Sequence, residues 1–169
     1  MKTCDNTSVG VLIQQDSRFL MFERQTFPPG IAPPTGHVDD HGSPAQAAID
    51  EVHEEVGLTV TALSRLWSGW LPNRCRRLGG DGHAWTMYRA DTTGDLHLGE
   101  QEAANAAWYP AGELQQLAKD TVHADGLGLE PVWCVLLHRV GVIDLDTDEV
   151  RRAVLLAGRR PDEALESGR

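Results

Sequence analysis

Between Gly36 and Leu58 the chain reads GHVDDHGSPAQAAIDEVHEEVGL, and this stretch decides the fold. Its second half predicts a helix from Pro44 to Val56, punctuated at both ends. Ser43 stands at the N-cap, Pro44 takes the first helical position, where a missing N–H costs nothing, and Gln46 at N3 is placed to complete a capping box. Gly57 ends the helix, because glycine enters the left-handed conformation without a Cβ clash. Ala45, Ala48, Ile49, Val52 and Val56 recur at helical spacing and form the expected buried stripe. Glu51, Glu54 and Glu55 stand at i, i+3 and i+4, neighbours on a face centred about 120° from that stripe.

Three carboxylates this close repel one another. Hard divalent cations such as Mg²⁺ and Mn²⁺ select oxygen ligands and cancel that repulsion. The same spacing also suits a solvated acidic face. The rigid loop ending at Gly36 favours the cation, since a glycine there lets backbone carbonyls approach it.

Upstream, Ser8 to Gln14 (SVGVLIQ) is rich in β-branched residues, and Arg18 to Phe22 resumes apolar character after Gln15-Asp16-Ser17, which predicts a hairpin. Thr26 to Thr35 (TFPPGIAPPT) carries four prolines and a glycine, so it is a stiff loop and neither helix nor central strand. Downstream, Leu58 to Leu71 reads as strand broken at Gly69, followed by a turn-rich segment and a strand from His83 to Ala90. Asp91 to Glu102 is a polar loop, Ala106 to Tyr109 a short strand and Ala111 to Lys119 a helix. Further helices are expected over Trp133–Val140 and Asp146–Ala157. Strands mixed with helices, without strict alternation, imply a mixed α/β (α+β) layer structure. The 169 residues fit one domain over 1–157, with 158–169 expected to be a flexible tail.

Acidic residues outnumber basic ones 25 to 15, a formal net charge of −10 that opposes nucleic acid and anionic membranes as partners. No apolar run approaches the roughly 20 residues of a bilayer span, and the N-terminus lacks a signal-peptide pattern. Cys4, Cys75 and Cys134 form no CxxC pair and have no nearby His in zinc spacing, so reduced thiols in a cytoplasm are expected.

The quoted stretch resembles the signature box of the Nudix hydrolase family. That box runs from a glycine through a glutamate to Arg-Glu, an apolar residue, paired glutamates, a glycine and a last apolar residue. Gly36, Glu51, Val52, Glu54, Glu55, Gly57 and Leu58 fall at those positions without a gap. Pro34 to Asp39 is similar to the family's Pro-Gly-Gly-His-Val-Glu lead-in, and the resemblance extends over roughly Val9 to Leu117. Two positions depart: Gly42 stands where the family has its first glutamate and Asp50 where it has arginine. In the family those two side chains brace the loop against the helix, and here both ends are missing together.

The resemblance implies a Nudix-like α/β/α sandwich with a mixed β-sheet. It implies hydrolysis of a diphosphate linked to another moiety, with Mg²⁺ or Mn²⁺ as cofactor and a small-molecule diphosphate as substrate. Glu51, Glu54 and Glu55 are the expected metal ligands, with the Gly36 carbonyl completing the shell and Glu54 a ligand or the base. Members often recruit a base from a later loop, where Glu102 is the first candidate and Glu100 the second. Arg74, Arg76 and Arg77 are candidates for gripping phosphate, since guanidinium matches its geometry, and the alternative is a basic surface turn. Trp67, Trp70 and Trp85 are candidates for stacking a base, or else core aromatics. His37, His41 and His53 read as loop or surface residues, His41 being nearest to a ligand. Family members are often homodimers, and nothing in this chain decides that. Two other readings stay open: a Nudix-fold sensor that binds without turnover, and an isopentenyl-diphosphate isomerase, for which Cys75 is the only suitably placed thiol.

Overall fold

The computed structural model describes residues 2–99, 103–123 and 128–159. The hairpin forms as its sequence predicts: β1 (Thr7–Gln15) and β2 (Arg18–Arg24) pair antiparallel, with Gln15 opposite Arg18. Asp16 and Ser17 between them take φ of 48° and 63°, the two-residue turn whose twist matches the flanking strands. The proline-rich loop contributes only β3 (Ile31–Ala32), on the edge of the sheet beside β2, where lost N–H donors are tolerated. β4 (Thr35–His37) returns to β1, placing Val9 opposite Gly36. A 3₁₀ turn over Asp39–His41 leads into α1 (Pro44–Val56).

Two long strands follow, β5 (Thr59–Leu71) and β6 (His83–Thr93), then β7 (Ala103–Pro110), α2 (Ala111–His123), α3 (Pro131–Arg139) and α4 (Thr147–Ala157). The seven strands make one mixed sheet along the path β3-β2-β1-β6-β5, with β4 on β1 and β7 on β2. β1 and β6 run parallel from Thr7 to Ile13, while the other pairs are antiparallel. Enclosed on both faces, β1 buries its residues continuously from Ser8 to Ile13, and so reads as an uninterrupted apolar run. Val9, Val11 and Ile13 face α1 and pack with Ala47, Ala48, Val52 and Val56. Leu12 faces α2, α3 and α4, packing in a second core with Met87, Leu114, Trp133 and Leu136. Gly10 is needed on that face, because a methyl group there would overlap the Trp133 indole. The molecule is thus the expected α/β/α sandwich around a mixed sheet.

Three local expectations are corrected. Helix α1 is rolled from the anticipated stripe: Ala45 and Ile49 are exposed, while Ala47 and Glu55 are buried with Ala48, Val52 and Val56. The capping box is half formed, since Ser43 Oγ accepts the Gln46 N–H at 3.1 Å but the Gln46 amide turns to Asp50 at 2.8 Å. A reciprocal box does form at α4, between Asp146 and Glu149. Gly69 does not break β5, because it stays paired opposite Trp85. The strand absorbs its irregularities elsewhere, between Val60 and Ala62 and between Arg65 and Trp67. The tail expected beyond Ala157 lies outside the described residues from position 160 onward.

Candidate active site

A cleft of about 710 Å³, counted to its open mouth, lies where β4, α1 and the loop after β5 meet. Its walls include Gly36, Glu51, Glu55, Arg74, Arg76 and Trp85. Because α1 is rolled, two of the three glutamates turn toward this cleft and the third does not. Glu55 is only 4% exposed, and its Oε2 accepts the Thr35 N–H at 2.8 Å. Glu51 brings its carboxylate against the α-carbon of Gly36, where any Cβ would overlap it. Glu54 is exposed and lies outside the cleft wall. The donor set of two carboxylates and the backbone of a side-chain-free residue is hard oxygen throughout. It fits Mg²⁺ or Mn²⁺ and would not favour a soft metal.

Gly57, at φ 72°, ends α1 as expected. The segment His97–Gly99 crosses that end, with His97 N–H donating to the Val56 carbonyl and Gly99 N–H to the Glu55 carbonyl, each at 2.9 Å. These bonds satisfy carbonyls that a helix end leaves open. Glu100 and Glu102 lie outside the described residues.

The arginine loop reaches the cleft, with its guanidinium groups engaged. Arg74 pairs with Asp81 at 2.5 Å and donates from Nε to the Gly158 carbonyl at 2.9 Å. Arg77 pairs with Asp39 at 2.7 Å. That bond, joined by Lys2 at 3.0 Å, holds the Asp39 carboxyl at a pKa of about 2. Arg76 is exposed on the cleft rim. Trp70 is 61% exposed, packs over Gly82 and does not line the cleft. Trp85 does line it, 4% exposed, with its indole N–H donated to Asn73 Oδ1 at 2.9 Å.

The departures from the family box find each other by another route. Asp50 Oδ2 lies 2.7 Å from His41 Nδ1, so the residue beside Gly42 reaches the helix that Gly42 cannot reach. His41 is therefore a brace, and His37 and His83 are the imidazoles that line the cleft. Burial, assisted by Arg77 and His83, pushes the His37 pKa down to about 4, so that its ring is neutral near pH 7.

Sequence reasoning missed Arg24 and Glu130, which also line the cleft, with Arg24 Nε 3.4 Å from Glu130 Oε2. Glu130 is 3% exposed and burial raises its pKa against the opposing pull of Arg24. The available signal was a single carboxylate lodged between Leu129 and Pro131 at the head of an apolar helix.

Comparison with known proteins agrees with this fold. The NUDIX domain family matches residues 5–127. No curated protein matches the chain. Among solved structures, the MutT protein from Methanosarcina mazei Go1 superposes with a TM-score of 0.63 at 17% identity, covering 83% of this chain and 96% of that one. A NUDIX hydrolase from Nitrosomonas europaea gives 0.58 at 22% identity, covering 80% and 89%. The NUDIX domain of Shewanella oneidensis NrtR, solved with ADP ribose, gives 0.55 at 15% identity, covering 69% and 77%. At these identities the structures speak to the fold, and the match over residues 5–127, most of the chain, speaks to descent: the protein belongs to the Nudix family.

Proposed function

We propose that the protein is a Nudix pyrophosphohydrolase that cleaves a nucleoside diphosphate linked to another moiety, by attack of water on phosphorus with Mg²⁺ or Mn²⁺. The observation that carries this reading is that the Glu51 carboxylate lies against Gly36 and the Glu55 carboxylate against the Thr35 N–H inside one open cleft. Glu51, Glu55 and the Gly36 carbonyl would hold the cation. Glu54, beside Glu55 but outside the cleft wall, serves as a ligand or the base by turning its side chain inward, and Glu102 is the second candidate for the base. When bound, the cation supplies neutralisation of phosphate charge and Lewis-acid polarisation. The chain's own part is positioning, which phosphoryl transfer chiefly demands. Thr35 N–H fixes the Glu55 carboxylate, while Arg74 and Arg76 offer donors to phosphate from the opposite wall. Trp85 in the wall is better placed than Trp70 to meet an apolar or aromatic part of the substrate.

Phosphate release, coupled to a phosphatase where needed, tests the proposal over nucleoside triphosphates, ADP-ribose, nucleotide sugars and dinucleotide polyphosphates. Turnover of one class with Mg²⁺ or Mn²⁺, lost with EDTA and reduced at least about 10³-fold in Glu51→Gln/Glu55→Gln, is expected; removing one preorganised electrostatic group already costs about 10²–10³. Metal binding and ligand binding without turnover of any compound would instead identify a sensor.

A further inference from the structure

We infer that Cys4, His37, Cys75 and His83 form a four-ligand site for a soft divalent metal, Zn²⁺ by its chemistry, in the wall of the same cleft that Glu51 and Glu55 line. One ligand atom from each of the four residues lies within 4.8 Å of the other three. The sulfur atoms of Cys4 and Cys75 are 3.7 Å apart, and Cys4 Sγ is 3.2 Å from His83 Nε2. Zn–S and Zn–N bonds of about 2.3 and 2.0 Å in a tetrahedron put sulfurs about 3.8 Å apart and sulfur and nitrogen about 3.5 Å apart. The sulfur spacing is therefore that of two thiolates on one ion, and small shifts complete the remainder. A disulfide would need about 2.05 Å.

The surroundings are those that such a site requires. His83 is fully buried, and its Nδ1 lies 3.2 Å from the Asn73 backbone carbonyl. That carbonyl can only accept, so Nδ1 carries the proton and Nε2 turns its lone pair toward Cys4. An outer hydrogen bond of this kind orients ligand histidines generally. His37 Nε2 is buried without a hydrogen-bond partner, in edge contact with the His83 ring at 5.3 Å. The backbone N–H of Asn6 points to Cys4 Sγ at 3.3 Å and that of Arg77 to Cys75 Sγ at 3.4 Å, so each sulfur faces one N–H donor. Gly80 leaves room for both sulfurs, since a Cβ there would overlap Cys75 Sγ. Two thiolates against a dication leave the set neutral overall; Cys4 and His83 are buried, His37 and Cys75 half-buried, and four protein ligands make it a structural type. The metal would tie the N-terminal segment, β4, the arginine loop and β6 together, fixing Arg74 and Arg76 opposite Glu51 and Glu55.

The test is metal analysis of the full chain purified under reducing conditions, followed by Co²⁺ exchange and absorption spectroscopy. About one equivalent of zinc is expected, with Co²⁺ giving thiolate charge-transfer and tetrahedral d–d bands. Cys75→Ser, on the half-buried loop, should weaken the metal at least about tenfold and lose part of the charge-transfer intensity. His37→Gln, checked for folding by circular dichroism, is the second variant and should weaken binding similarly. Glu51→Gln/Glu55→Gln should keep the zinc while losing turnover, so the two sites fail independently. A folded, reduced chain that takes up neither metal overturns the inference, as does unchanged Co²⁺ binding in both ligand variants or a Cys4–Cys75 disulfide in place of the metal.

Discussion

At the scale of single residues, Gly36 and the His41–Asp50 contact carry the most testable consequences. A methyl group at position 36 would overlap the Glu51 carboxylate, while the backbone of β4 itself, paired with Val9, accepts any residue. Gly36→Ala should therefore displace the carboxylate by an ångström or so and lower kcat/KM about 10²-fold, with little loss of Tm. Steady-state kinetics beside a thermal melt decides it: a parallel collapse of both would mean that the glycine serves folding alone. The His41–Asp50 contact is part-exposed, so its worth to stability is small, about 0.2–1 kcal/mol by double-mutant cycle. Its role is to hold the loop beside Gly42 against α1. Asp50→Ala should accordingly slow turnover more than it destabilises. Asp50→Asn, which keeps an oxygen for His41, should retain more of the rate than Asp50→Ala in steady-state kinetics.

At the scale of elements, caps and buried charge decide more than propensity. Ser43→Ala removes the bond to Gln46 N–H and should cost about 1 kcal/mol in chemical denaturation. Glu149 matters more: it is 4% exposed and accepts from Lys119 at 3.0 Å, His123 at 2.9 Å and the Asp146 N–H at 3.0 Å, joining α4 to α2. The His123 bond first, then the Asp146 N–H and Lys119, lower its pKa from 4.5 to about 2. A depressed carboxyl pKa contributes stability that is present above the unfolded value of 4.5 and is lost as pH falls toward 2. Denaturant titrations between those limits should show a steep acid loss in wild type and a flatter one in Glu149→Gln. Helix α1 was legible to the residue because Ser43, Pro44 and Gly57 act locally. Its roll was not legible: Ala45, Ala47, Ala48 and Ile49 offer two overlapping apolar arcs, and the sheet chooses the one that brings Glu51 to Gly36. Gly69 misled for a related reason, since ladder bonds from β6 carry an edge strand past a glycine that sequence alone reads as punctuation.

At the scale of the whole molecule, the box could be read in one pass because it is contiguous, whereas the opposite wall of the cleft is assembled from distant segments. Arg24 and Glu130, or Cys4, His37, Cys75 and His83, share no spacing that a scan along the chain would register. What the fold adds is a concentration of charge. Glu51 and Glu55 line one cleft together with Arg24, Arg74, Arg76 and Arg77, in a protein of net charge −10. Glu51→Gln/Glu55→Gln removes the carboxylates proposed to hold the cation and should lose activity. Added Mg²⁺ at a hundredfold over its Kd contributes about 2.7 kcal/mol to wild type, roughly 5–10 °C in Tm for a chain of this size, and should leave the double variant unmoved. Melts of both proteins across a Mg²⁺ series supply the answer. If wild type gains nothing from the ion, the glutamates hold no metal. If wild type alone gains as Mg²⁺ rises, that pair of side chains holds the ion.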